Sequence, residues 1–268
     1  MTLTSEHNRL IAAALAAVCL FSSTLSAYGT ASPPKESSYT AVVYDADTFE
    51  TLYDDDGDLE RSIASVTKIM TAIVALERVS LNKKVTFKQE WKVEGSGSGF
   101  IPGKDYTARQ LIYALMLLSG NDAAVGLAEI TAGSVAEFAE LMNAKASELG
   151  LTHTNFKNPH GLDETGHYSS AKDLAVLTAY AMRNSKFSLI VSTREANVGG
   201  VYFKNHNKLL WYGKGVIGVK TGFTEKSGRT LVSAAVRNGR TIIIVTLNDP
   251  NDWNDHVSLY DWAFGSDE

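Results

Sequence analysis

The stretch VIGVKTGFTEKSGRTLVSAAVRNGRTIIIVTL, residues 216–247, is where the fold is read most directly. Its β-branched residues fall into three runs, Val216 to Thr224, Arg229 to Val236 and Thr241 to Leu247. Asn238-Gly239 separates the last two, and this dipeptide tolerates the positive φ that a two-residue hairpin turn demands. Tyr39 to Asp45 and Thr48 to Tyr53, near the other end, read as a second hairpin. Between them the period is helical. Ile69, Ala72, Ile73 and Leu76 recur at three- and four-residue spacing from Ala64 to about Arg78. Thr107 with Gln110 and Ser134 with Glu137 have the form of capping boxes, opening helices through Leu118 and to Gly150. Ser169 to Asp173 opens another helix to about Arg183, and Asp255 to Phe264 is helical again. These elements imply an α+β fold: an antiparallel sheet of about five strands, built from both ends of the chain and flanked by helices, with a largely helical lobe inserted at roughly 79–200.

The 268 residues suffice for one catalytic domain, assigned to 39–268, and 44% hydrophobic with 21% charged residues is an ordinary globular composition. A net charge of -5 without a clustered Lys/Arg face gives no reason to expect nucleic acid as a partner. The acidic run Asp54 to Asp58 around Gly57 reads as a solvated turn. Residues 1–27 read as an export signal: Arg9 precedes an apolar run from Leu10 to about Leu25, with small residues at Ser26 and Ala27 suiting cleavage. Membrane contact is expected only through this segment, if it stays uncleaved. Residues 28–38 read as a flexible spacer. Cys19, the single cysteine, lies within the signal, so a cysteine nucleophile, a thiolate metal site and disulfides are all excluded from the mature protein.

A hydroxyl attacks a carbonyl only when a base accepts its proton. In Ser65-Val66-Thr67-Lys68 a helix would place Lys68 one turn from Ser65 on the same side. Ser-x-x-Lys also occurs at Ser32, Ser80 and Ser169, but only Ser65 opens a long apolar helix. A lysine near pKa 10.4 is protonated at neutral pH, and lowering it by about three units costs about 4 kcal/mol, through burial or a nearby cation. Lys220-Thr221-Gly222, within an expected strand, offers that second cation, and its glycine permits close approach of a ligand's backbone. Ser119-Gly120-Asn121 lies at a junction of helical segments, where a hydroxyl and an amide can face a cleft. His160 and His167 are seven residues apart with no acidic partner, which is poor zinc geometry, and are read as structural.

Taken in order, Ser65-x-x-Lys68, Ser119-Gly-Asn121 and Lys220-Thr-Gly222 resemble the three active-site motifs of the penicillin-binding serine acyltransferases. Their surroundings, including Asn158-Pro159-His160-Gly161-Leu162 and Gly218 to Thr224, resemble the low-molecular-mass D-alanyl-D-alanine carboxypeptidase branch over nearly the whole mature chain. The resemblance implies a β-lactamase/transpeptidase-like fold and a peptidoglycan stem peptide as substrate, with β-lactams as covalent inhibitors. It implies Ser65 as nucleophile, Lys68 as general base, Ser119 and Lys220 as proton relay and Asn121 as hydrogen-bond partner of the substrate amide. Thr221, Gly222 and Phe223 would line the substrate site, with the backbone N–H groups of Ser65 and Phe223 as oxyanion hole. No metal or cofactor is called for, and the protein is expected outside the cytoplasm, in the cell-wall space of a bacterium.

Two departures stand out. No second domain or C-terminal membrane helix follows the catalytic part before Glu268. Asn248 to His256 also lacks the basic residue that relatives use for the substrate carboxylate, leaving Arg229 and Arg240 as candidates. The rival activities are a β-lactamase, a DD-endopeptidase and a non-hydrolysing β-lactam or muropeptide sensor. For the first, Glu140-Leu141-Met142-Asn143 is the nearest approach to a deacylating Glu-x-x-Leu-Asn motif.

Overall fold

A computed structural model describes residues 32–265. The hairpin β1 (Thr40–Asp45) and β2 (Glu50–Asp55) is followed by a 3-10 turn, Ala64–Thr67, that runs into helix α1 (Lys68–Arg78). Two short strands, β3 (Lys84–Thr86) and β4 (Asp105–Thr107), lead into helices α2 (Ala108–Leu117), α3 (Asn121–Ala132), α4 (Val135–Glu148), α5 (Ala171–Met182) and α6 (Ser185–Ser192). The hairpin β5 (Glu195–Val198) and β6 (Val201–Lys204) precedes β7 (Val216–Thr224), β8 (Gly228–Arg237), β9 (Arg240–Leu247) and the closing helix α7 (Asp252–Phe264).

The main sheet has five strands in the order β2-β1-β9-β8-β7, each pair antiparallel, so β1 from the start of the domain is sealed against β9 from its end. Strand alternation serves both faces. Val42, Tyr44, Val232, Ala234, Ile243 and Val245 join the large core beneath the helices. Val43, Ala235, Ile242 and Ile244 meet Leu259, Tyr260 and Ala263 of α7 on the other face. His256 of α7 is wholly buried there, between Ser233 Oγ (2.6 Å) and Thr246 Oγ1 (3.0 Å), and burial pushes it down to about 3, so it stays neutral.

Of the two capping boxes read from sequence, the first forms in full and the second only as an N-cap. Thr107 and Gln110 form the reciprocal box, and Ser134 Oγ accepts from Glu137 N; such caps contribute about 1 kcal/mol each. At α5 the cap is Ser170, because the Ser169 backbone is committed to a bridge with Arg61. The first turn of the 64–78 segment is 3-10 rather than α-helical, with Ala64 at φ 47°. The acidic turn closes with Asp54 Oδ1 accepting from Gly57 N, and Lys172 bridges Asp54 and Asp58. The export signal assigned to 1–27 lies outside the described residues. The end of the segment read as spacer is tied to the body: Ser37 N donates to Asp255 Oδ2 at 2.7 Å, and Ser37 Oγ lies 2.9 Å from Asp249 Oδ1.

Candidate active site

The site forms where the 3-10 turn and the N-terminus of α1 meet the edge strand β7. Gly222 makes this meeting close: a Cβ there would lie 3.0 Å from Ser65 N and 2.3 Å from Thr230 Oγ1. Because β7 is an edge, alternate backbone groups along it face the turn instead of another strand.

Lys68 is fully buried, and its Nζ donates to Ser65 Oγ at 2.8 Å, to Asn121 Oδ1 at 2.8 Å and to the His160 carbonyl. Burial, and then the charge of Lys220, hold the Lys68 amine well below the usual lysine range, while Asp122 opposes the shift. Lys220 is itself buried, donates to Thr221 O at 2.8 Å, and is lowered by burial to about 7. Asn121 is engaged at both ends, since its Nδ2 donates to Glu94 O at 2.7 Å. Through Oδ1 it positions Lys68, and an amide nitrogen carries a second N–H beyond the one given to Glu94. Ser119 is held at φ 60°, in the left-handed region that costs a non-glycine residue on the order of 1–3 kcal/mol.

The 158–162 loop, outside the three motifs but within the resemblance, grips the nucleophile turn. Thr71 Oγ1 donates to Pro159 O at 2.6 Å, and Asn158 Oδ1 accepts from Gly161 N at 2.8 Å. His167 Nδ1 accepts from Lys157 N, so Nε2 carries the proton and donates to Thr67 Oγ1 at 2.8 Å. Burial lowers His160 to about 3 and His167 to about 4, keeping both rings neutral as structural members. At Gly161, φ is +89° and a Cβ would stand 1.9 Å from Ala64 O. Gly161→Ala is expected to destabilise by more than about 1 kcal/mol and to slow Ser65 acylation; thermal melting and a β-lactam acylation rate check both.

The resulting cleft, about 290 Å³, is lined by Ser65, Ser119, Thr221, Phe223, Arg229 and Trp253. Ser96, His206 and Asp252 also reach it, with no local sequence signal to mark them. Arg229 qualifies as a carboxylate partner: both Asp252 oxygens lie 2.8 Å from its Nη2, and Nε and Nη1 have no protein acceptor among the described residues. Arg240 does not. It pairs with Arg237 at the far end of β8, about 25 Å along the strand, and its Nε donates to Asp45 Oδ2. Two of the three competing Ser-x-x-Lys lysines are engaged elsewhere, Lys83 donating to Ile130 O and Lys172 bridging Asp54 and Asp58. Glu140 is exposed on α4, and Asn143 exchanges two hydrogen bonds with the Phe156 backbone, so this segment supplies no base to the cleft.

The model of the peptidase S11 family, D-alanyl-D-alanine carboxypeptidase, matches residues 27–251. D-alanyl-D-alanine carboxypeptidase DacF of Bacillus subtilis is 34% identical over 85% of this chain, which spans 62% of that protein's length. DacB2 of Mycobacterium tuberculosis is 36% identical over 88% of this chain and 85% of its own. The crystal structure of the Streptomyces K15 DD-transpeptidase superposes with a TM-score of 0.83 at 34% identity, covering 87% of this chain and 99% of that one. With the five-stranded sheet and the serine–lysine cleft in place, these matches show that the chain belongs to the D-alanyl-D-alanine carboxypeptidase family, peptidase S11.

Proposed function

We propose that the protein is a serine DD-carboxypeptidase that removes the terminal D-alanine from peptidoglycan stem peptides through an acyl-enzyme on Ser65. The observation that carries this reading is the buried Lys68 amine, 2.8 Å from Ser65 Oγ and held well below its ordinary pKa. A neutral amine in that position takes the hydroxyl proton as Oγ attacks the carbonyl of the penultimate D-alanine. The backbone N–H groups of Ser65 and Phe223 receive the oxyanion, each such donor stabilising the transition state by about 3 kcal/mol. Ser119 and Lys220 return a proton to the leaving amine, Asn121 steadies Lys68, and water then hydrolyses the ester. Residues 1–27 direct export to the cell-wall space, where β-lactams acylate the same serine.

Thr221 and Arg229 hold the terminal carboxylate. A hydrogen bond to a charged group contributes about 1.5–3 kcal/mol. Arg229→Leu should therefore lower kcat/KM about 10- to 100-fold on a free-acid peptide and far less on its C-terminal amide, as steady-state kinetics on the two peptides will show.

The pH profile tests the lysine pair. The Lys220 cation lowers the Lys68 pKa, so its removal raises that pKa and leaves less neutral base at a given pH. In Lys220→Met the acid limb of the acylation rate should move to higher pH; an unmoved limb contradicts the coupling. The function as a whole is tested by D-alanine release from a peptide ending in D-Ala-D-Ala. Release supports it, and acylation by a β-lactam without release turns the reading to a sensor.

A further inference from the structure

Asp122, the residue after Asn121 in the first turn of α3, carries a carboxylate that is only 2% exposed. It accepts three hydrogen bonds, from Ser98 N at 2.8 Å, Ser98 Oγ at 2.9 Å and Ala123 N at 2.8 Å. The positive end of α3 adds to their effect. The one cation paired with it among the described residues is Lys92, 3.8 Å away on the surface. Burying a carboxylate is costly unless its oxygens are occupied, and the partners of Asp122 show what the burial holds in place.

Those bonds close a clamp on the Ser119-Gly120-Asn121 turn. Asn121 N donates to Ser96 O at 2.7 Å and Asn121 Nδ2 to Glu94 O at 2.7 Å, so residues 94–98 run directly against the turn. Three glycines between Gly95 and Gly99 leave this run little stiffness of its own, and Asp122 fixes its far end. The packing is tight: a Cβ on Gly120 would lie 3.1 Å from Asp122 Oδ1 and 3.3 Å from Ser98 N. Ser96 and Ser119 both line the cleft, and Asn121 Oδ1 accepts from Lys68. A shift of the clamp is therefore passed on to the reacting groups.

The charge of Asp122 reaches Lys68 as well. The ionisable groups that act on the buried amine are Lys220 on β7, Asp122 on α3, and His160 and His167, whose rings are neutral. Lys220 works against the protonated form of Lys68, and Asp122 works for it. A base that is too weak takes the serine proton poorly, and one that is too strong stays protonated at neutral pH. We propose that Asp122 is a positioning residue for the reaction, its buried carboxylate pinning the 94–98 run onto the Ser119–Asn121 turn and serving as counterweight to the Lys220 cation. The inference rests on the reading of Lys68 as general base.

The test is the rate of benzylpenicillin acylation across pH for the full chain, Asp122→Asn and Ser98→Ala, at a temperature where melting curves show all three folded. Asp122→Asn keeps the shape of the side chain and removes its charge. Lys68 then loses its proton more readily, so the acid limb should move to lower pH by about half a unit or more, opposite in direction to Lys220→Met. The weaker base should also lower the plateau rate, by about threefold or more. Ser98→Ala keeps the charge and loosens the clamp, so its plateau should fall by about threefold or more with the limb in place. A limb that stays put or moves upward in Asp122→Asn overturns the proposal, because a purely structural role would lower the rate without moving it downward. A Ser98→Ala plateau equal to the parent's overturns it as well, and that variant decides alone if Asp122→Asn does not fold. A parent that benzylpenicillin fails to acylate, or acylates with no acid limb, brings down the reading of Lys68 itself.

Discussion

Ser65→Ala is expected to abolish both D-alanine release and covalent β-lactam binding, with a loss of about a millionfold in kcat if the residual rate can be measured. In the proposed mechanism the Ser65 hydroxyl oxygen is the atom that becomes acylated, and no neighbour stands in for it. Ser96, Ser119 and Thr221 also bring hydroxyls to the cleft, but the Lys68 amine contacts Ser65 Oγ, and no hydrogen bond joins Lys68 to any of those three among the described residues. The fold should survive, because Ser65 Oγ contributes one hydrogen bond to a half-buried position. An unchanged melting temperature alongside lost acylation separates chemistry from structure. Acylation persisting in the alanine variant would move the nucleophile elsewhere.

Lys68→Ala is expected to be nearly as damaging. General bases alone contribute typically 10²- to 10⁴-fold, but nucleophile and base acting as a unit lose more, and their losses do not add. The double variant with Ser65→Ala should therefore be no slower than the slower single one. Lys68→Arg should not rescue, since a guanidinium does not deprotonate in this range. Stability carries a second signature with a defined sign. The folded pKa of Lys68 lies below its unfolded value near 10.4, so the folded state binds fewer protons between the two. That contribution is present above the unfolded pKa and is lost as pH falls through the folded one. Lys220 adds the same dependence between about pH 10 and its folded value of about 7. Denaturation curves across pH should accordingly show the parent losing more stability on acidification than Lys68→Ala.

The sheet was legible because its signals are local. In β8 and β9 the apolar residues alternate between two buried faces, and Asn238-Gly239 marks their turn. The three motifs were legible for the same reason, each being a run of three or four residues. Gly199-Gly200 between Glu195–Val198 and Val201–Lys204 carries a comparable hairpin signal, although four-residue strands give it little periodic support. What stayed hidden depends on residues far apart in the chain. Nothing near His160 says that its carbonyl will accept from Lys68, 92 positions away. Nothing near Arg229 announces Asp252 as its partner, and Arg240 looks equally available until register places it at the other end of β8.

The central claim, a Ser65 nucleophile activated by a buried neutral Lys68, is tested most directly by mapping a covalent adduct. The full chain would be mixed with benzylpenicillin, digested, and the modified peptide sequenced by mass spectrometry, with Ser65→Ala and Lys68→Ala run in parallel. The account predicts one penicilloyl group on Ser65 in the parent, none in Ser65→Ala, and formation slowed by at least about a hundredfold in Lys68→Ala. An adduct on any other residue, or an adduct on Ser65 forming equally fast without Lys68, would contradict it.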